Sequence, residues 1–190
     1  RPEDIDFVLC THLHFDHIGW NTRLENGEWV PTFPNARYVF SRGDYDYFDA
    51  HREDPLYGWA FVDSVLPVVE RDMADIVPSD HRVLHDLTDD VWLEPAPGHS
   101  PGSCLIHARR SGDHAIFTGD AFHHPLQVLR PQLKLAADLD PALGCQTRAA
   151  LFERYAESRT LLCPAHFGRS SAGFVRRYRD TFRFDFLAPL

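Results

Sequence analysis

The chain has 190 residues, 44% of them hydrophobic and 13% aromatic, and a formal charge of −9 with histidine counted neutral. This composition describes one compact domain able to bury a sizeable core and excludes a disordered or low-complexity chain. No apolar run approaches the roughly 18 residues of a membrane span, and the excess of 28 acidic over 19 basic side chains argues against a nucleic-acid partner.

Small-molecule chemistry is therefore the leading class, and twelve histidines suggest that it involves metal. The chain opens at Arg1, its only methionine is Met73, and it reads as a strand almost at once. The expectation is an N-terminally incomplete domain in which no targeting segment fixes the compartment, with the cytoplasm favoured. Cys10, Cys104, Cys145 and Cys163 form no CxxC pair and read as free thiols.

In chain order, residues 5–11 (IDFVLCT) form a short apolar run of the kind a buried strand shows, leading directly into a histidine cluster. Gly19 and Asn21 mark a turn. Residues 35–41 (NARYVFS) read as a second strand after Pro31 and Pro34. From residue 44 to about 77 aromatics and acids recur at helical intervals, which predicts a helical, aromatic-rich insertion with an exposed loop at Pro55. Strand character returns at 91–94, 103–107 and 114–119, the last two joined by a hairpin turn at RRSGD. Residues 143–158 have helical spacing, 160–163 read as a buried strand, and 174–184 as a terminal helix with an arginine-rich face. No linker or repeat divides the chain, so 1–190 is read as one domain, of layered α/β or α+β type.

The chemistry concentrates in His12-Leu13-His14-Phe15-Asp16-His17. From the composition of this chain, H-x-H-x-D-H arises by chance on the order of once in two hundred such sequences, so it is treated as signal. Alternate residues of an extended segment project to one side, so His12 and His14 can grip one ion together. A turn into a helix would re-aim Asp16 and His17 towards a second. Three later points supply further candidate donors: His99 in GHSPG, Asp120 in TGD and His166 in PAHFG, each just after a predicted strand.

With the hexapeptide, these residues closely resemble the pattern of the metallo-β-lactamase superfamily, a resemblance running from residue 11 to about 167. It implies an α+β fold, a four-layer αβ/βα sandwich, here lacking its N-terminal strands. It also implies that His12, His14 and His99 hold one metal and Asp16, His17 and His166 a second, with Asp120 bridging. The long aromatic interval after His17 is similar to the branch that contains methyl parathion hydrolase and acyl-homoserine lactonases. Those lactonases usually place a tyrosine three residues after the bridging aspartate, where this chain has His123.

The function so implied is a dinuclear metal-dependent hydrolase in which hydroxide bridging the metals cleaves lactones, carboxylic esters or phosphotriesters. Zinc is the default ion, with Mn²⁺, Co²⁺ or Fe²⁺ compatible with the same donors. Asp120 and Asp16 are the catalytic carboxylates, and His123 and His124 are expected to hydrogen-bond the substrate. Phe15, Trp20 and Phe122 are expected to contact it, with Trp59 and Phe61 of the insertion as further candidates for an apolar pocket. His51, His81, His85, His107 and His114 fall outside the pattern and read as surface or structural. The branch leaves homodimerisation open. Alternatives are a glyoxalase II-like thioester hydrolase, a redox di-iron protein and a non-catalytic metal-binding fragment.

Overall fold

The computed structural model describes residues 1–85, 89–168 and 170–187. The chain divides into two compact units, Arg1–Pro78 and Ser79–Leu190. Among the described residues no helix is long and apolar enough to cross a membrane.

The first unit is built on a three-stranded parallel sheet of β1 (Phe7–Leu9), β4 (Arg37–Ser41) and β5 (Ala74–Val77), with β4 central. Between β1 and β4 lie the four-residue helix α1 (Phe15–Ile18) and a hairpin of β2 (Thr22–Glu25) and β3 (Glu28–Pro31). Asn26 and Gly27 close that hairpin with φ of 53° and 88°, the left-handed pair that matches the twist of the flanking strands. Helices α2 (Arg42–Ala50), α3 (Gly58–Ser64) and α4 (Leu66–Val69) follow β4. Ser41 caps α2 by accepting the Asp44 amide, which satisfies one of the orphan donors of its first turn. Tyr38 and Phe40 from the central strand pack with Leu13, Ile18, Phe48, Phe61, Val65 and Val68 to make the core of this unit.

The second unit carries a seven-stranded sheet in the order β12-β11-β10-β9-β8-β7-β6. Its strands are β6 (Arg82–His85), β7 (Asp89–Pro95), β8 (Cys104–Arg110), β9 (Asp113–Gly119), β10 (Leu161–Pro164), β11 (Gly173–Tyr178) and β12 (Thr181–Phe186). Only β9 and β10 run parallel, and their crossover contains α5 (Pro125–Leu129) and the fifteen-residue α6 (Pro141–Tyr155). Asp140 caps α6 by accepting the Ala142 and Leu143 amides, with Pro141 in the first turn, the arrangement that starts a helix without loss of a needed donor. Leu151 and Phe152 of α6 pack on Leu105, Ile116, Leu162, Val175, Phe182 and Phe184 from the sheet.

Most expected elements are present with boundaries shifted by a few residues, including the β8–β9 hairpin, whose turn places Ser111 and Gly112 at φ of 50° and 94°. Two expectations are corrected. The segment at 74–77 is a strand and not helix, because Ala-Asp-Ile-Val supplies the third strand beside β4. The turn expected at Gly19 and Asn21 is present, with the Asn21 amide donating to Ile18 O at 2.9 Å, and it leads into the β2–β3 hairpin. The terminal helix expected over 174–184 is the β11–β12 hairpin, joined through Arg179 at φ 56°. There Phe182 and Phe184 are buried and Arg183 between them is exposed, the period of two that a strand requires. Cys10 and Cys104 are buried and Cys145 and Cys163 half-buried, with no disulfide among the described residues, and burial pushes the Cys10 thiol up to about 12, which keeps it an inert core group.

A polar cluster lies across β7 to β10. The wholly buried His107 ring stacks on Trp92 and meets His114, with His107 Nδ1 3.0 Å from His114 Nε2 and His107 Nε2 3.3 Å from Glu94. His114 Nδ1 in turn lies 3.2 Å from Thr160 Oγ1. Burial, reinforced by His107 and Arg109 and opposed by Glu94, holds the His114 pKa below its ordinary value. The unfolded chain thus takes up this proton at higher pH than the folded one, and stability falls as pH drops below about 6.5 until it passes the lowered folded value. The urea midpoint is expected to be lower at about pH 5.5 than at about pH 7.5, and His114→Gln should narrow that difference. An unaltered difference in the variant would assign the effect elsewhere.

Candidate metal centre

In the first unit the histidine hexapeptide begins where β1 ends. His12 and Leu13 continue extended, and the chain turns into α1 with His14 as its N-cap at φ −68° and ψ 153°. The turn swings His17 back onto His12. Their ring centroids lie 4.1 Å apart, His12 and His14 are 4.8 Å apart, and Asp16 Oδ2 is 3.5 Å from His17 Nε2. The loop is held from outside the motif: the fully buried Asp44, in the first turn of α2, accepts the Leu13 amide at 2.9 Å. Because β1 and β4 are parallel, the loop after one and the helix after the other emerge at the same sheet edge. The His14 ring also lies against Phe48 and Tyr57, at 5.5 and 5.7 Å.

In the second unit three separate connections deliver donors to one end of the sheet. The β7–β8 loop carries His99, β9 runs into Asp120 through Gly119 at φ 48°, and β10 runs into His166. The parallel pairing of β9 with β10, with Pro164 opposite Gly119, sets Asp120 and His166 side by side. The Asp120 carboxylate is buried and faces three imidazoles: His99 Nε2 at 3.2 Å, His123 Nε2 at 2.8 Å and His166 Nε2 at 3.1 Å. His123 and His166 stack face to face, with centroids 4.9 Å apart and planes 3° from parallel. Single donor atoms of His99, Asp120 and His123 all fall within 4.8 Å of one another. Imidazole nitrogens converging on a buried carboxylate are a donor set suited to a divalent transition ion, so the residues present fit the implied metal.

Each expected metal donor thus lies in one of two local clusters: His12, His14, Asp16 and His17 in the first unit, and His99, Asp120 and His166 in the second. The expected substrate contacts fare unequally. Phe15 and Trp20 are exposed, and Phe15 lies 6.2 Å from Trp59. Phe122 is fully buried among Phe152, Phe167 and Phe184, and Phe61 is likewise buried in the first unit, so both are core residues. His124 is the N-cap of α5, its Nδ1 accepting the Leu126 amide at 3.1 Å, which gives it a structural part. His123 lies against Asp120 itself.

Three supporting residues were not singled out from the sequence. Gln127 Oε1 accepts the His123 and His124 amides at 2.7 and 3.2 Å, Asp44 holds Leu13, and Asp138 Oδ1 lies 3.0 Å from His99 Nδ1. Gln127, three residues after the cap, carries a capping-box signal; the other two have no local signature.

This arrangement can be set beside known proteins. The chain is 28% identical over 146 residues to an N-acyl homoserine lactonase of Bacillus thuringiensis, covering 72% of this chain and 50% of that protein. It is 28% identical over 162 residues to the N-acyl homoserine lactonase AttM of Azorhizobium caulinodans, covering 80% and 56%. The chain spans about half the length of these curated relatives. Among solved structures, the hydrolase AbOPH in the beta lactamase superfamily superposes with a TM-score of 0.84 at 19% identity, over 100% of this chain and 67% of that one. AidC, a dizinc quorum-quenching lactonase in complex with a product, gives 0.81 at 17%, over 100% and 66%. These two show a shared α+β fold. The family model described as the metallo-beta-lactamase superfamily matches residues 1–170, a span that takes in the hexapeptide and all three later donors, and the chain belongs to that superfamily.

Proposed function

We propose that the two donor clusters act together as one dinuclear centre and that the protein is a metal-dependent hydrolase that opens lactones, with carboxylic esters and phosphotriesters as further substrate classes. In this reading His12, His14 and His99 hold one ion, Asp16, His17 and His166 the other, and Asp120 is shared. The observation that carries it is the Asp120 carboxylate faced by three imidazole Nε2 atoms within 3.2 Å. The lactonases among the relatives support the choice of lactones.

When bound, divalent ions such as Zn²⁺ make hydroxide available near neutral pH and stabilise negative charge developing on the acyl or phosphoryl oxygen. The protein's own groups supply position and proton traffic. Asp16, half-exposed beside His17, orients the attacking water and accepts its proton as the ring opens. His123, its backbone held by Gln127, donates a hydrogen bond towards the leaving oxygen. Net hydrolysis adds one water across the acyl–oxygen bond and yields a hydroxy acid. Phe15 and Trp59, with the exposed Leu56 and Tyr57, offer an apolar surface beside the hexapeptide that suits the hydrocarbon part of an acyl substrate.

The test is metal content followed by a substrate panel of lactones, aryl esters, phosphotriesters and glutathione thioesters. Two ions per chain with preferential lactone opening is the expected result. Less than one ion per folded chain would favour a non-catalytic fragment, and preferential thioester cleavage would move the protein to a different branch.

A further inference from the structure

We propose that Asp138 is the positioning residue for His99, fixing its ring as the Nδ1–H tautomer so that the Nε2 lone pair is aimed at the metal. The inference rests on the dinuclear reading above and assigns a part to a residue outside the superfamily pattern. Asp138 Oδ1 lies 3.0 Å from His99 Nδ1, while His99 Nε2, on the opposite side of the ring, lies 3.2 Å from Asp120. Both side chains of the His99–Asp138 pair are buried, at 4% and 2% exposure. Among the described residues Asp138 pairs with no lysine or arginine, and its Oδ2 has no hydrogen-bond partner. A carboxylate retained only for scaffolding would be expected to satisfy both oxygens. This one spends its burial on a single imidazole.

The backbone around it is built to permit that contact. Leu139 donates its amide to His99 O at 3.2 Å and Asp140 to Gly98 O at 2.8 Å, while Thr147 Oγ1 donates to Pro97 O at 2.7 Å. Gly98 sits at φ 132°, and a Cβ there would lie 2.4 Å from the backbone of Gly144; a Cβ on Gly144 would lie 3.0 Å from Asp138 Oδ2. Two glycines therefore let the His99 loop and the start of α6 approach closely enough for the carboxylate to reach the ring. A carboxylate accepting from the non-ligating nitrogen sets the tautomer and raises the basicity of the ligating one.

The experiment compares wild type, Asp138→Asn and Asp138→Ala by Zn²⁺ titration against a competing chelator and by ¹⁵N NMR of the His99 ring in metal-free protein. Asp138→Ala is expected to weaken one of two zinc sites by about 10–100-fold and to move the His99 proton from Nδ1 to Nε2, where Asp120 accepts it. The near-isosteric Asp138→Asn still offers an oxygen to Nδ1–H, and should keep the tautomer while losing part of the affinity. If both variants bind zinc as wild type does, or if Nδ1 stays protonated in Asp138→Ala, the assignment is overturned. Wild-type protein that binds no zinc would instead overturn the dinuclear reading, and the ring tautomer would still decide whether Asp138 positions His99.

Discussion

Asp120→Ala is expected to lower kcat/KM for lactone opening by on the order of a thousandfold or more, equivalent to about 4 kcal/mol of transition-state stabilisation, and to abolish stoichiometric metal retention. The carboxylate is buried and faces His99, His123 and His166 at 2.8–3.2 Å, so its removal takes away the negative charge that those three imidazoles share. In the proposed dinuclear centre, two divalent cations held by imidazoles and Asp16 would then repel each other with less relief. Stability should move in an informative way. Without metal, wild type bears the cost of holding an anion away from water, so the metal-free variant is expected to be as stable as wild type or more so. On adding Zn²⁺, wild-type Tm should rise, because a ligand that binds only the folded state stabilises by mass action, and the variant's should not. Asp120→Asn, which keeps the shape and loses the charge, should fall between the two in affinity. A variant that loses metal yet hydrolyses as well as its parent would place the active centre elsewhere.

The parts of this site that were legible in the sequence are those where chemistry restricts the residue type. Divalent-ion ligation admits few side chains, so His12, His14, Asp16 and His17 stand out when crowded into six positions. His99, Asp120 and His166 are recognisable because each follows a strand. Asp138 had no such signal: it is one acidic residue among 28, and its partner is 39 residues away. Asp44 is hidden for the same reason, since it acts through the amide of Leu13, which any residue would provide. Fold errors arose where two periods compete. The run from Phe174 to Phe186 mixes aromatics and arginines densely enough to fit a helical stripe, and only the burial of Phe182 and Phe184 on one face resolves it as a strand. Asn26-Gly27 was a readable hairpin signal, flanked by strands too short and too exposed to draw notice. Phe122 and Phe61 show the converse limit, because an aromatic near a candidate site in sequence looks the same whether it lines a pocket or fills a core.

Arg148 is where a single substitution outside the metal cluster is expected to cost the fold most. Its side chain is 1% exposed in the middle of α6, and among the described residues no carboxylate pairs with it. The guanidinium instead donates to three backbone carbonyls, Pro131 O at 2.9 Å, Leu133 O at 2.8 Å and Ala121 O at 3.3 Å. Those acceptors belong to the long connection between β9 and α6, the segment that also carries His123 and Gln127. One planar donor fork thus replaces the hydrogen bonds that regular structure would otherwise provide, a geometry lysine cannot reproduce. Arg148→Met, which keeps most of the volume and removes the donors, takes a hydrogen bond from all three part-buried carbonyls; Leu133 O keeps Gln127 Nε2 at 3.4 Å, so up to two are left unpaired at about 1–3 kcal/mol each before water enters. A net loss of about 4 kcal/mol is expected, a large share of the total stability of a domain of this size. Arg148→Ala should lose more through the added cavity, and Arg148→Lys less, because an ammonium can still serve one or two of the oxygens. Urea unfolding of the metal-free protein measures all three without contribution from the site. If Arg148→Met unfolds within about 0.5 kcal/mol of wild type, the carbonyls are being satisfied by water, and the crossover that presents His123 is held by apolar packing alone.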